Sequence, residues 1–188
     1  MNIIPIFPTL IYSGTVPVQD GTVERIMELK SNNESVKRSN IGGWQSKRFD
    51  DDPLIDYFLN NIYQQKALPD FELLSSWVNV NDKGDYNMPH LHPESDYSFI
   101  WYINAPKDSG CVVFENPHVF VDAKFLRINY NVGVKCNSTH THQFTPVESA
   151  FYFFPAKLTH WVEENKSDEP RISIAGNINF KNDGAPWD

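Results

Sequence analysis

The sequence predicts a mostly β, single-domain fold with flanking helices, a sandwich or jelly roll. Three observations carry that expectation. Apolar runs of strand character recur from about residue 73 onward, with turn residues between them. Helical periodicity is confined to two stretches before residue 70. No repeat, low-complexity tract or linker divides the 188 residues, a length sufficient to bury one substantial core.

Residues 3–18 read as extended chain, broken by Pro5, Pro8 and Pro17. Asp20 to about Asn33 reads as an amphipathic helix with Val23, Ile26, Met27 and Leu29 as its apolar members. A polar loop follows, holding Asn40-Ile-Gly-Gly-Trp44-Gln45-Ser46, which suits either a structural turn or the rim of a substrate entrance. Asp52-Pro53 is a helix start, because a carboxylate can cap the first turn and proline there gives up an N–H that has no partner anyway. Leu54, Tyr57, Phe58 and Ile62 carry that helix to about Gln65.

After Pro69 the pattern becomes that of strands. Leu73–Asn81 alternates, with Trp77, Asn79 and Asn81 on one face. Tyr97–Asn104 is a strong strand bounded by Pro106-Lys-Asp-Ser-Gly110, and Cys111–Glu115, Ala150–Phe154 and Arg171–Phe180 follow. Residues 116–145 are expected to hold a hairpin and a loop over a pocket mouth. Trp77, Trp101, Trp161 and the run Phe151–Phe154 read as core.

Composition narrows the class of function. Apolar residues make up 40% and aromatics 14%, a globular composition. A formal net charge of −8 offers no basic footprint, so no nucleic-acid partner is expected. Cys111 and Cys136 are too few for a disulfide framework, and a reducing, cytoplasmic setting is expected. The start Met-Asn-Ile-Ile-Pro-Ile-Phe-Pro lacks a basic segment and is unlike a signal peptide. No apolar run approaches a membrane span.

The chemistry concentrates in Asn87-Met-Pro-His90-Leu-His92-Pro-Glu94-Ser-Asp96. On a strand, residues two apart share a face, so His90 and His92 would enter one cavity and Glu94 would continue the row. Imidazole and carboxylate suit iron, zinc or nickel. His160, after the strand end Phe154-Pro155, is the best distal ligand. After ten intervening residues, Arg171 and Ser173 share a strand face, and a buried arginine facing inward calls for an anion that its planar fork can hold bidentately. A second pair, His140 and His142, reads as part of a solvated loop.

The series His90-x-His92, His160, Arg171-x-Ser173 resembles the iron(II)/2-oxoglutarate dioxygenase superfamily, and more narrowly its uncharacterised branch in bacteria and bacteriophages. Pro5-Ile-Phe-Pro-Thr, Gly42-Gly-Trp44-Gln-Ser, Pro89-His-Leu-His-Pro93, Ser98-Phe-Ile-Trp-Tyr102 and Arg171-Ile-Ser173-Ile…Asn177 extend the resemblance over most of the chain. It implies a double-stranded β-helix from about residue 71 to 181 behind a helical part at about 1–70, binding iron(II) and 2-oxoglutarate. It implies His90, His92 and His160 as metal ligands, with Arg171, Ser173 and Tyr102 on the distal carboxylate of 2-oxoglutarate and Asn79 or Asn81 at its other end. The superfamily pattern has a carboxylate where His92 stands, so Glu94 or Asp96 is the alternative ligand, and a halogenase-type site that also lacks the acid is a further outcome. Hydroxylation of an unidentified substrate, with release of succinate and CO2, is the expected reaction.

Two rival readings remain beside it. Gly84-x5-His90-x-His92 and Pro155-x4-His160 also resemble the cupin motifs, which would make the chain a metal isomerase or cofactor-free dioxygenase with Asp96 in place of a glutamate. A metal-free jelly roll with a binding or structural role is the other. The expected partners are a small-molecule or protein substrate and a second copy of the chain as a homodimer.

Overall fold

The computed structural model describes residues 8–118 and 140–181. Two helices lie among them, α1 (Thr22–Asn32) and α2 (Pro53–Gln65). α2 begins as its sequence requires, with the Asp52 carboxylate accepting from the Leu54 N–H at 2.9 Å and Pro53 in the first turn. It stops where Lys66 turns left-handed, φ 49°. α1 starts after Gly21 rather than at Asp20, because the chain enters the helix at φ 79°, which glycine adopts without steric cost.

The described residues also form eleven strands, in chain order β1 (Tyr12–Thr15), β2 (Asn40–Ile41), β3 (Trp44–Gln45), β4 (Phe71–Asn81), β5 (Tyr86–His90), β6 (Tyr97–Asn104), β7 (Val112–Glu115), β8 (Thr141–Phe144), β9 (Ala150–Pro155), β10 (His160–Val162) and β11 (Arg171–Phe180). They form a six-stranded sheet in the order β1-β9-β6-β11-β4-β3 and a five-stranded sheet in the order β2-β5-β10-β7-β8. From β4 onward the chain winds between them, with β4, β6, β9 and β11 in the larger sheet and β5, β7, β8 and β10 in the smaller. That winding is the double-stranded β-helix. The short hairpin β2–β3 joins both sheets at one side, β2 pairing with β5 and β3 with β4.

The larger sheet has two different faces. Its outer face packs on the helices through Val78, Val80, Phe99, Trp101, Phe153, Ile172 and Ile174. Phe58 of α2 is the hub, fully buried, with ring centroids 5.1 Å from Phe99, 4.9 Å from Trp101, 5.9 Å from Phe151 and 6.2 Å from Phe153. Its inner face looks into the space between the sheets, where Ile100, Tyr102, Val112, Phe114, Phe154 and Leu158 form a second cluster. The residue alternation of each strand therefore decides which side chains can reach a cavity.

The strand expectations hold with small shifts: β4 begins at Phe71 rather than Leu73, and β7 at Val112 rather than Cys111. The polar loop at 40–46 carries two short strands, with Gly42 turning between them at φ 79°. In the 116–145 region Thr141–Phe144 is a strand pairing with β7, while residues 119–139, with Cys136 and Thr139, lie outside the described residues. So do residues 1–7, which include Pro5 and most of the Pro5-Ile-Phe-Pro piece. No helix among the described residues is long and apolar enough to cross a membrane.

Phe58→Ala would empty the space that four aromatic rings surround. It is expected to lower the unfolding free energy by about 3–5 kcal/mol, measured by denaturant titration, whereas an unchanged midpoint would show that α2 does not anchor the sheet.

Candidate functional site

The inner face of the larger sheet presents its side chains in cross-strand rows. Arg171 of β11 lies opposite Asn81 of β4. Next along, Gln45, Asn79, Ser173 and Tyr102 stand side by side on β3, β4, β11 and β6. The following row is Trp77, Ala175 and Ile100, and the last is Ser75, Asn177 and Ser98. These residues, apart from the fully buried Tyr102, line much of a cavity of about 710 Å³ that also takes in His90, His92, His160 and Phe154.

The three histidines come from the smaller sheet and a turn beside it. His160 opens β10 and pairs with His90, the last residue of β5. Between them β5 bulges: the span from His160 to Val162 on β10 faces the longer span from His90 to Asn87 on β5. One extra residue reverses the alternation, so Asn87 and His90, three apart, both face the cavity. His92 lies past the strand end, held by its N–H donating to the Ala156 carbonyl at 2.8 Å, while the Ala156 N–H donates to Asp96 O at 3.0 Å. The turns carrying His92 and His160 are thus stitched together by backbone bonds.

The result is a compact cluster. One nitrogen from each of His90, His92 and His160 lies within 4.8 Å of the others, and these three form the one such group of potential ligands found among the described residues. Ring centroids stand 4.3 Å apart for His90 and His160, 5.1 Å for His90 and His92, and 5.4 Å for His92 and His160. His90 Nδ1 contacts the Met88 carbonyl at 2.7 Å and His160 Nδ1 the Leu158 carbonyl at 2.8 Å. A backbone carbonyl on Nδ1 fixes the tautomer and frees Nε2 as a lone-pair donor, the arrangement a metal-bound imidazole needs. Burial depresses the proton affinity of all three, His92 to about 4 and His160 to about 3, so all are neutral imidazoles at neutral pH.

Neither acid joins them. Glu94 is exposed in the turn after His92, so it does not continue the row. The strand that would have carried it ends at His90. Asp96 is exposed, and its carboxylate accepts from the Phe180 N–H at 3.0 Å. His140 and His142 are also apart: His142 is exposed on β8, an edge strand rather than the expected loop, with its ring 4.7 Å from Phe144.

At the other end of the cavity, Arg171 is 1% exposed. One guanidinium nitrogen donates to the carbonyls of Ser109, Gly110 and Glu163, but Nη2 has no partner among the described residues. The Tyr102 hydroxyl, also fully buried, is unpartnered too, and the two groups sense each other electrostatically. No carboxylate pairs with Arg171 among the described residues. Two orphaned donors at one buried place mark a receptor for an anion, since leaving either unmade costs about 1–3 kcal/mol. Ser173 and Asn79 stand in the same cross-strand row as Tyr102, next to Arg171.

Some site residues were not evident from sequence. Asn87 reaches the cavity only through the bulge, and Ser39 through the hairpin: Asn81 Nδ2 donates to Asn87 Oδ1 at 3.4 Å, Asn87 Nδ2 to Ser39 Oγ at 3.2 Å, and Ser39 Oγ lies 3.5 Å from His90 Nε2. Trp77, expected in the core, lines the cavity instead with its ring 5.7 Å from His92, while Trp101 is core as expected. Of the Gly42-Gly-Trp44-Gln-Ser segment, Trp44 is core and Gln45 and Ser46 line the cavity, so it is turn and wall at once.

The sequence profile of the family described as "Putative 2OG-Fe(II) oxygenase" matches residues 75–177. No curated protein matches the sequence. Among solved structures, a Pseudomonas putida prolyl-4-hydroxylase is 15% identical with a TM-score of 0.60, over 93% of this chain and 94% of that one. The non-heme α-ketoglutarate-dependent epimerase SnoN of nogalamycin biosynthesis is 14% identical with a TM-score of 0.62, over 92% and 77% of the two chains. HygX from Streptomyces hygroscopicus, solved with nickel and 2-oxoglutarate bound, is 10% identical with a TM-score of 0.58, over 92% and 83%. These likenesses show a shared fold.

The depressed histidines make a pH prediction. Their folded values lie below the unfolded 6.5, so the unfolded chain takes up protons first as pH falls. Their contribution to stability is present above about pH 6.5 and is lost as pH drops toward the folded values. The melting temperature of the metal-free protein is expected to fall on acidification from about pH 7 to about pH 4, and to fall less in His160→Gln. Parallel curves for the two proteins would show that His160 is not buried neutral.

Proposed function

The chain belongs to the 2OG-Fe(II) oxygenase family, and we propose that it uses iron(II) held by His90, His92 and His160, with 2-oxoglutarate held by Arg171, Ser173, Tyr102 and Asn79, to hydroxylate a substrate not yet identified. The observation that carries the reading is the pairing, in one cavity region, of three neutral imidazoles with two buried donors that lack an acceptor. The donor set fits both groups: imidazole nitrogens suit iron(II), and a guanidinium beside a phenol suits a carboxylate.

When bound, the iron and its keto acid supply oxidative decarboxylation to succinate and CO2, coupled to oxidation of a substrate C–H bond. The protein's own part is orientation and exclusion of water. Arg171 and Tyr102, buried at the inner end, would take the distal carboxylate of 2-oxoglutarate and set how far the molecule reaches toward the histidines. Ser173 and Asn79, side by side on β11 and β4, would hydrogen-bond along its length. Phe114 and Phe154, with ring centroids 6.1 and 4.7 Å from His160, keep its flank apolar and dry. The chain of bonds from Asn81 through Asn87 to Ser39 holds β5 and the hairpin at fixed distance beside His90.

The cupin reading leaves the buried Arg171 without an anion, and its stand-in glutamate, Asp96, is engaged at Phe180. The sparse cysteines support a reducing, cytoplasmic setting, with Cys111 a free thiol. Protein supplied with iron(II), 2-oxoglutarate and oxygen is expected to release succinate slowly without substrate. Metal binding with no succinate would favour the cupin reading, and neither would favour a non-enzymatic jelly roll.

Two substitutions divide the roles. His92→Ala is expected to lose most iron affinity and Glu94→Ala to retain it, and the reverse ranking in an iron titration would make the acid the third ligand. Arg171→Ala is expected to weaken 2-oxoglutarate binding about 10- to 150-fold, the equivalent of roughly 1.5–3 kcal/mol for a charge-assisted pair, with iron affinity nearly unchanged. Arg171→Lys should recover only part of that, because a point charge cannot reproduce the fork. Anaerobic titration of the iron-loaded protein reads both, and unchanged affinity in Arg171→Ala would remove this strand from co-substrate binding.

A further inference from the structure

The charge of the cavity wall is opposite to that of the chain. The protein has 24 acidic and 16 basic residues, yet among the described residues Arg38, Lys47, Arg48 and Arg171 line the cavity and no Asp or Glu does. Arg171 is at the inner end and is accounted for by the co-substrate. The other three flank the β2–β3 hairpin at the mouth. Arg48 is tied down, its Nε donating to Asp50 and its Nη2 to the Leu74 carbonyl at 2.6 Å. Arg38 and Lys47 are not: among the described residues neither cationic group has a hydrogen-bond or ion-pair partner.

The rest of the mouth sorts into two kinds of surface. The row Ser75, Asn177 and Ser98 is bonded within itself, Ser98 Oγ donating to Asn177 Oδ1 at 2.8 Å and Asn177 Nδ2 to Ser75 Oγ at 3.2 Å. It has little left to offer a ligand. Trp77 and Leu91 are apolar wall beside His92. Charge recognition at the mouth therefore falls to the unpaired cations, and a wall without carboxylates among its described residues gives a cationic ligand no counter-charge.

We propose that the substrate is an anion, carrying a carboxylate or phosphate that Arg38 and Lys47 bind at the rim while its apolar part lies along Trp77 toward the three histidines. The proposal rests on the oxygenase reading of this cavity and names the substrate class for it.

The test uses protein loaded with iron(II) and 2-oxoglutarate, without oxygen and at low ionic strength, where exposed charges are least screened. The probes are phenyl phosphate, benzoate, benzyl alcohol and benzylamine, followed by tryptophan fluorescence or calorimetry. Both anions are expected to bind more tightly than benzyl alcohol, and benzylamine more weakly. The double substitution Arg38→Gln and Lys47→Gln should weaken the anions about 3- to 10-fold, toward the neutral probe, while leaving 2-oxoglutarate affinity unchanged. Tighter binding of phenyl phosphate than of benzoate assigns a phosphate substrate, and the reverse a carboxylate.

Three results would overturn the proposal. Benzyl alcohol could bind as tightly as the anions, the double variant could keep full anion affinity, or it could lose 2-oxoglutarate affinity by the same factor. The last would make the rim a capture device for the co-substrate. The same titrations on metal-free protein read the rim independently, so wild-type protein that fails to bind 2-oxoglutarate yet still discriminates anions would break the oxygenase reading alone.

Discussion

The pairing of β11 between β4 and β6 is the constraint on which the rest depends. Ten residues of one strand serve two environments at once. Ile172 and Ile174 press the sheet onto the helices, while Arg171, Ser173, Ala175 and Asn177 face the cavity. Because the period is two, sliding β11 by one residue would send a guanidinium into the helical core and isoleucines into the cavity. The core therefore holds Arg171 and Ser173 in register: the burial that stabilises Phe58 against the sheet also fixes which side chains stand beside Tyr102 and Asn79.

The histidine cluster is assembled differently, by departures from regular structure. A strict strand would have turned His90 away from the side Asn87 occupies, and the bulge in β5 brings it back. His92 is placed by a turn whose backbone is bonded to the turn before His160. Two local irregularities tied to each other achieve what no uninterrupted ladder does, the convergence of three imidazoles from one side. Their Nδ1 contacts to backbone carbonyls add nothing to the core but hold two of the rings in the tautomer a metal needs.

This division explains what the sequence made legible. Long strands with strong alternation, Tyr97–Asn104 and Arg171–Phe180, could be bounded correctly, and so could the capped start of α2, because each follows from local pattern or turn chemistry. The face shared by Trp77, Asn79 and Asn81 was legible for the same reason. What was not legible depends on partners distant in the chain. The expectation that Glu94 would extend the histidine row assumed an unbroken strand, and β5 ends at His90. Asn87 and Ser39 needed the bulge and the hairpin, neither of which has a local signature here. Trp77 looked like core because a large aromatic on a strand usually is, and only the position of β4 beside the cavity shows otherwise.

The three-imidazole cluster also changes the charge of the site, and the rest of the cavity is consistent with that change. A carboxylate ligand would cancel one positive charge of a divalent ion, whereas His90, His92 and His160 cancel none. With Arg171 buried nearby and no acid among the described lining residues, iron(II) held there would bring the inner part of the cavity, apart from the cations at the rim, to three positive charges. The dianion 2-oxoglutarate would offset two of them, leaving one among buried groups, where charges are weakly screened. A neutral substrate would leave that charge uncompensated, and a cationic one would add to it. An anionic substrate would balance it, so a third imidazole at position 92 and the unpaired cations at the rim favour the same class of molecule.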